Sequence, residues 1–191
     1  MLRGVSLMLG ALSAVALASQ SAQAAVTVLG NGLAQTCYEA AEYGGSANDG
    51  IAACSQALEQ MALPVRDRAA TLVNRGILYS RIQEPQLAIA DYDKGIELAP
   101  TLGEAYVDRG AAYIVLQRYD EAIQDIDKGI ALGANRPQIA YYDRGLAHEA
   151  LGNVRGAYED YKKATEIEPN FQLATSQLAR FKVIRQRGDG T

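Results

Sequence analysis

Leu72-Val73-Asn74-Arg75-Gly76-Ile77-Leu78-Tyr79, Tyr106-Val107-Asp108-Arg109-Gly110-Ala111-Ala112-Tyr113 and Tyr141-Tyr142-Asp143-Arg144-Gly145-Leu146-Ala147-His148 are three versions of one octapeptide, with glycines 34 and 35 residues apart. A second match lies downstream of each: Ala88, Tyr92 and Gly95, then Ala122, Ile126 and Gly129, then Ala157, Tyr161 and Ala164. Pro100 and Pro169 close the first and third units. An internal period of this length marks a repeat array, in which each unit buries its apolar face only by stacking on the next. Glycine inside a helix costs ~1 kcal/mol relative to alanine, so three in one register need a packing reason. Close approach of an antiparallel partner helix supplies it. Gly76, Gly110 and Gly145 are expected to face Ala88, Ala122 and Ala157, with Tyr79, Tyr92 and their equivalents filling the flanks.

The pattern resembles the tetratricopeptide repeat, whose signature runs large, x2, large, Gly, x2, Tyr, then Ala, x3, aromatic, then Pro. Agreement extends over about residues 69 to 170. Three arginines, Arg75, Arg109 and Arg144, stand before the glycine where the family often has Leu; Ile126 replaces an aromatic, and Ala134 a proline. The resemblance implies an all-α fold: a TPR helix-turn-helix solenoid, a right-handed superhelix of antiparallel helix pairs. Its repeats fall at residues 69–102, 103–137 and 138–171.

Outside the repeats, residues 1–24 read as a signal peptide, with Arg3 as n-region, Val5 to Leu17 as apolar stretch and Ala22-Gln23-Ala24 as cleavage site. The apolar run is shorter than the ~20 residues that span a bilayer, and no second span follows, so the mature chain is expected to lack an integral membrane span. The reading is an exported, periplasmic protein of a Gram-negative bacterium, with secretion as the alternative. Two cysteines exported to an oxidising compartment tend to pair, so Cys37 and Cys54 are expected to form a disulfide. Residues before Cys37 lack a lipobox. Residues 25–68 then read as a degenerate helix pair, at about 31 to 64, with Tyr43 to Gly50 as its loop and the disulfide replacing lost packing. Residues 172–191 read as a capping helix and tail, with Asn170 as helix cap, an apolar face through Phe171, Leu173, Leu178, Phe181 and Ile184, and fraying from Gly188.

Composition excludes several functions. The 191 residues hold 18 Lys plus Arg against 22 Asp plus Glu, a net charge of −4, and loss of Arg3 with the leader makes it −5. No basic patch with interleaved aromatics is present, so nucleic acid is not an expected partner. One His and two Cys leave few ligands for a metal, and neither metal nor cofactor is expected. Gly30-Asn31-Gly32 lacks the third glycine of a dinucleotide loop, and His148-Glu149 lacks the second histidine of a zinc-protease helix. His148 occupies the position of Tyr79 and Tyr113 and reads as packing. Asp91-Tyr92-Asp93 and Asp125-Ile126-Asp127 are followed by Lys94 and Lys128, against a calcium loop. Arg187-Gly188-Asp189 in a terminal tail reads as coincidence. No catalytic residue emerges, and the chain is not expected to be an enzyme.

The repeated arginines have two readings: a cationic row for a partner, or pairing with Asp91, Asp125 and Asp160 on neighbouring helices, which suits the planar guanidinium better. Asn74, Asp108 and Asp143 fall where superhelical members of the family line the inner groove and hold peptide backbone. The resemblance places Ala70, Val73, Asn74, Ile77 and Arg81, then Glu104, Val107, Asp108, Ala111 and Ile114, then Ile139, Tyr142, Asp143, Leu146 and Glu149 on the concave surface. Chaperone-binding members grip a C-terminal carboxylate, which Asp108 and Asp143 would repel. A segment with apolar anchors and basic or N–H donors fits better. The resemblance therefore implies a noncatalytic adaptor or scaffold of the cell envelope that binds a partner peptide or protein in this groove. The alternatives are an accessory subunit that positions or regulates an envelope peptidase or cell-wall hydrolase and, third, a self-assembling structural protein.

Overall fold

The computed structural model describes residues 5–9, 25–27 and 32–185, with side chains from 25–27 and 32–181. Strand β1 (Val5–Leu9) is followed by nine helices among the described residues: α1 (Leu33–Tyr43), α2 (Ala47–Gln60), α3 (Val65–Arg81), α4 (Pro85–Leu98), α5 (Gly103–Val115), α6 (Tyr119–Ala131), α7 (Pro137–Ala150), α8 (Val154–Ile167) and α9 (Gln172–Leu178). Strand β2 (Phe181–Arg185) closes the described chain. Helices α1 and α2, α3 and α4, α5 and α6, and α7 and α8 pack as pairs, and each pair stacks on the next through α2 on α3, α4 on α5 and α6 on α7. The first helices of successive pairs also touch, α1 with α3, α3 with α5 and α5 with α7, so they form the inner row of an all-α solenoid.

Turn chemistry divides the pairs. Pro85 and Pro137 stand at the first turn of α4 and α7, where a missing N–H costs nothing. Between the two helices of a repeat the chain turns through a left-handed residue: Gln83 (φ 62°), Gln117 (φ 59°) and Gly152 (φ 74°). Only the third of these equivalent positions has the residue type that adopts this conformation without steric cost.

The glycines admit the large side chain of the partner helix. A Cβ on Gly76 would stand 2.5 Å from Tyr92 Cε1, one on Gly145 2.7 Å from Tyr161 Cε1, and one on Gly110 2.6 Å from Ile126 Cγ1. At Gly110 the partner backbone comes close as well, with the Ala122 carbonyl oxygen 3.1 Å from the added Cβ. Tyr92, Ile126 and Tyr161 are fully buried as a result.

Each arginine before the glycine clasps three helices. Arg75 Nε and Nη2 donate to Asp91 at 2.6 and 2.8 Å, while Nη1 donates to Ser55 Oγ at 2.9 Å. Arg109 holds Asp125 at 2.6 and 2.8 Å and reaches back to Asp93 at 2.6 Å. Arg144 holds Asp160 at 2.9 and 2.6 Å and reaches back to Asp127. In each Asp-x-Asp doublet the first acid thus bonds the arginine of its own repeat and the second that of the following repeat. At α8 the second acid is replaced by Lys162, where no further repeat follows.

The two ends match the sequence reading in the disulfide and depart from it elsewhere. Cys37 and Cys54 join α1 to α2, with the sulfurs 2.15 Å apart. The loop between these helices is shorter than Tyr43 to Gly50, because Ser46 caps α2 by accepting the Asp49 N–H at 3.3 Å and Asp49 sits in its first turn. At the other end α9 stops at Leu178, Asn170 makes no cap, and Phe181 to Arg185 form a strand in place of the expected helix. β-branched Val183 and Ile184 favour the extended form, and β2 pairs antiparallel with β1, Val5 opposite Arg185 and Leu9 opposite Phe181. The remaining residues of the expected signal peptide, 1–4 and 10–24, and the tail from Gly188 lie outside the described residues.

Candidate functional site

The inner row of α3, α5 and α7 carries a polar residue at one equivalent position of each repeat: Asn74, Asp108 and Asp143. All are buried, at 0, 2 and 1% exposure. The sequence reading takes them as surface positions of an open groove; in the structure all three are buried.

Asn74 shows what such a position does. The Val26 N–H donates to Asn74 Oδ1 at 2.7 Å, and Asn74 Nδ2 donates to the Val26 carbonyl at 2.8 Å. One side chain thereby satisfies both backbone groups of one residue, as a neighbouring strand would. Ala25 and Val26 pack on the core that contains Val73, Ile77 and Ala105. Ala25 and Val26 thus sit against α3 of the inner row, held by backbone bonds as well as by apolar contact. Nothing in residues 25–27 alone marks them as a groove occupant, so sequence reasoning had no signal for this contact.

Asp108 and Asp143 differ from Asn74. Asp108 Oδ2 and both carboxylate oxygens of Asp143 are buried without a hydrogen-bond partner. Burial pushes the Asp143 carboxyl up to about 8. Burial also raises the Asp108 carboxyl well above the usual carboxylate range, with added repulsion from Asp143 and Glu104 and partial relief from Arg136. The carboxylate of Glu104 accepts the Asn135 N–H at 3.2 Å, and Arg136 donates to Glu42 at 2.7 Å. Neither is bonded to the Asp pair.

The other expected groove residues divide between buried and more open positions. Val73 and Val107 sit between paired helices, where added Cβ atoms at Gly95 and Gly129 would meet their Cγ2 at 2.9 and 2.5 Å. Tyr142, at the same repeat position, stacks against Tyr161 and Phe171 with ring centroids 5.7 and 5.6 Å apart. Ala70, Ile77, Ala111 and Ile139 are buried, while Ile114 and Leu146 are partly open. Arg81 donates to the Ala40 carbonyl at 2.7 Å and also bonds that of Ala41; Glu149 accepts from Tyr161 at 3.0 Å and from Arg180 at 2.6 Å. Both are committed within the fold. His148 bonds Asn153 at 3.2 Å. Among the described residues no group of three or more His, Cys, Asp or Glu is placed to hold a metal ion, and no helix is long and apolar enough to cross a membrane.

Stacked helix pairs with this register are those of the tetratricopeptide repeat, which matches residues 69–102, 103–134 and 139–171. The chain belongs to this family. It is similar to the first TPR domain of human RPAP3, at 31% identity over 60% of this chain and 89% of that one, with a TM-score of 0.57. It is likewise similar to the first TPR of Spaghetti (RPAP3) bound to the HSP90 peptide SRMEEVD, at 31% identity over 60% of this chain and 90% of that one, with a TM-score of 0.57. MamA is similar over 78% of this chain and 82% of its own, at 26% identity and a TM-score of 0.63. No curated protein matches the chain. The fold is typically a noncatalytic interaction module, and relatives bind peptides.

Proposed function

We propose that this chain is a noncatalytic adaptor of the bacterial cell envelope, holding an extended segment of a partner protein along the inner row of α3, α5 and α7. The observation that carries the reading is the two-point grip of Asn74 on the Val26 backbone. It depends on extended conformation rather than on side-chain identity, so an incoming segment can replace Val26 by strand-like addition. The SRMEEVD peptide of the RPAP3 complex carries three acids. The floor here carries Asp108 and Asp143, which oppose such a peptide and favour a segment of other charge. The apolar Val5 to Leu17 stretch after Arg3, the Ala22-Gln23-Ala24 site and the Cys37–Cys54 disulfide support export, since disulfides persist in oxidising compartments.

Site-specific photo-crosslinking in the producing bacterium tests the reading. A crosslinker at Leu146, on the inner row, should give discrete adducts in the envelope fraction that Asn74→Ala abolishes, whereas one at exposed Glu121 on α6 should not. Adducts from Glu121 alone would refute the groove.

A further inference from the structure

We propose that Asp108 and Asp143 form a subsite for a cationic side chain, lysine or arginine, of the extended segment held at Asn74. This deepens the groove reading and rests on it. Two observations converge. The three residues are repeat equivalents, and the first already grips peptide backbone, so the row as a whole is laid out for a chain. The other two present buried carboxylate oxygens with no partner. A buried carboxylate without a partner is costly, and an array built only for stability has neutral or apolar residues available at both positions. A lysine ammonium or arginine guanidinium supplies charge-assisted donors to such oxygens.

Geometry also sets the spacing. Packed helices lie roughly 8–10 Å apart and an extended chain advances about 3.3 Å per residue, so successive floor positions meet about every third residue. Val26 is held by α3, whose neighbours in the inner row are α1 and α5, and the chain that follows Val26 enters α1. A segment bound with the polarity of Val26 therefore reaches Asp108 about three residues before the clamped one.

Cation binding must also drive protons off the pair. Burial raises both carboxyls, and of the groups around Asp108 only Arg136 opposes this, against Asp143 and Glu104. Occupancy should release protons, and affinity should rise with pH up to about 8, which a purely structural role would not produce.

The test selects a random decapeptide display library on the full chain and on its Asn74→Ala and Asp108→Asn/Asp143→Asn variants. The expected result is enrichment of a basic residue at a fixed offset. Replacing it by norleucine should weaken binding about tenfold or more on the wild type and less than about twofold on the double variant. Calorimetry in two buffers of different ionisation enthalpy should show proton release only with the wild type. Retained peptides with no basic preference, or a preference unchanged in the double variant, overturn the subsite and leave the groove standing. No retained peptide, or equal retention by Asn74→Ala, overturns the groove and the subsite with it.

Discussion

Replacing Asp143 by asparagine should make this protein more stable, and only at neutral to alkaline pH. Asp143 is 1% exposed, its two oxygens lack partners, and burial holds its carboxyl at about 8. In the unfolded chain the same group titrates near 3.9, so the folded state binds the proton more tightly. The associated penalty is absent below about pH 4, grows as pH rises through the interval, and is constant above about pH 8. At about 1.4 kcal/mol per pH unit it reaches at most about 6 kcal/mol. Asparagine keeps the shape and removes the charge. Urea unfolding of the full chain should therefore give nearly equal stabilities for wild type and Asp143→Asn at about pH 3.5. At pH 8.5 the variant should be more stable by about 2 to 5 kcal/mol, and Asp108 should impose a dependence of the same sign. Parallel pH profiles for the two proteins would refute the reasoning, as would a wild type that gains on the variant between pH 5 and 8. Natural proteins carry such destabilising groups where function uses them.

Three further perturbations test the scaffold. Gly110→Leu should lower the unfolding free energy from denaturant titration by about 1–3 kcal/mol or more, because even a Cβ there meets Ile126 Cγ1 at 2.6 Å. Reduction of Cys37–Cys54, or Cys37→Ala with Cys54→Ala, should cost ~3 kcal/mol for a separation of 17 residues, read as a lower thermal midpoint under reducing conditions. Gln117→Gly should stabilise by up to ~1 kcal/mol in the same assay, since Gln117 holds a left-handed φ of 59° that Gly152 supplies without strain.

The repeats were legible because each signal is local and recurs. The glycine register, the partner-helix aromatics and the pairing of Arg75, Arg109 and Arg144 with Asp91, Asp125 and Asp160 all follow from spacing on helices. The back-reach to Asp93 and Asp127 was also encoded, in doublets whose second acid disappears at Lys162, although taken singly they read only as failed calcium loops. The candidate site was less legible. Spacing put Asn74, Asp108 and Asp143 in one row, but their burial depends on how the stacked pairs close, and Val73 and Val107 turn into the helix-pair interior toward Gly95 and Gly129. The grip on Val26 spans 48 residues between a polar side chain and main-chain atoms, a contact that leaves no side-chain pattern. The C-terminal helix failed for a different reason: Phe171 to Ile184 has helical apolar spacing, yet Phe181 to Arg185 is β-favouring and pairs with a distant strand.

The central claim is that the inner row carries an extended chain by its backbone, and the most direct measurement is a crystal structure of the full protein with a library-selected peptide. The account predicts an extended peptide in place of Val26, its N–H and C=O bonded to Asn74 at about 2.9 Å and a basic side chain over Asp108 or Asp143. A peptide seated on the outer faces of α4, α6 and α8, with Asn74 still holding Val26, would contradict it.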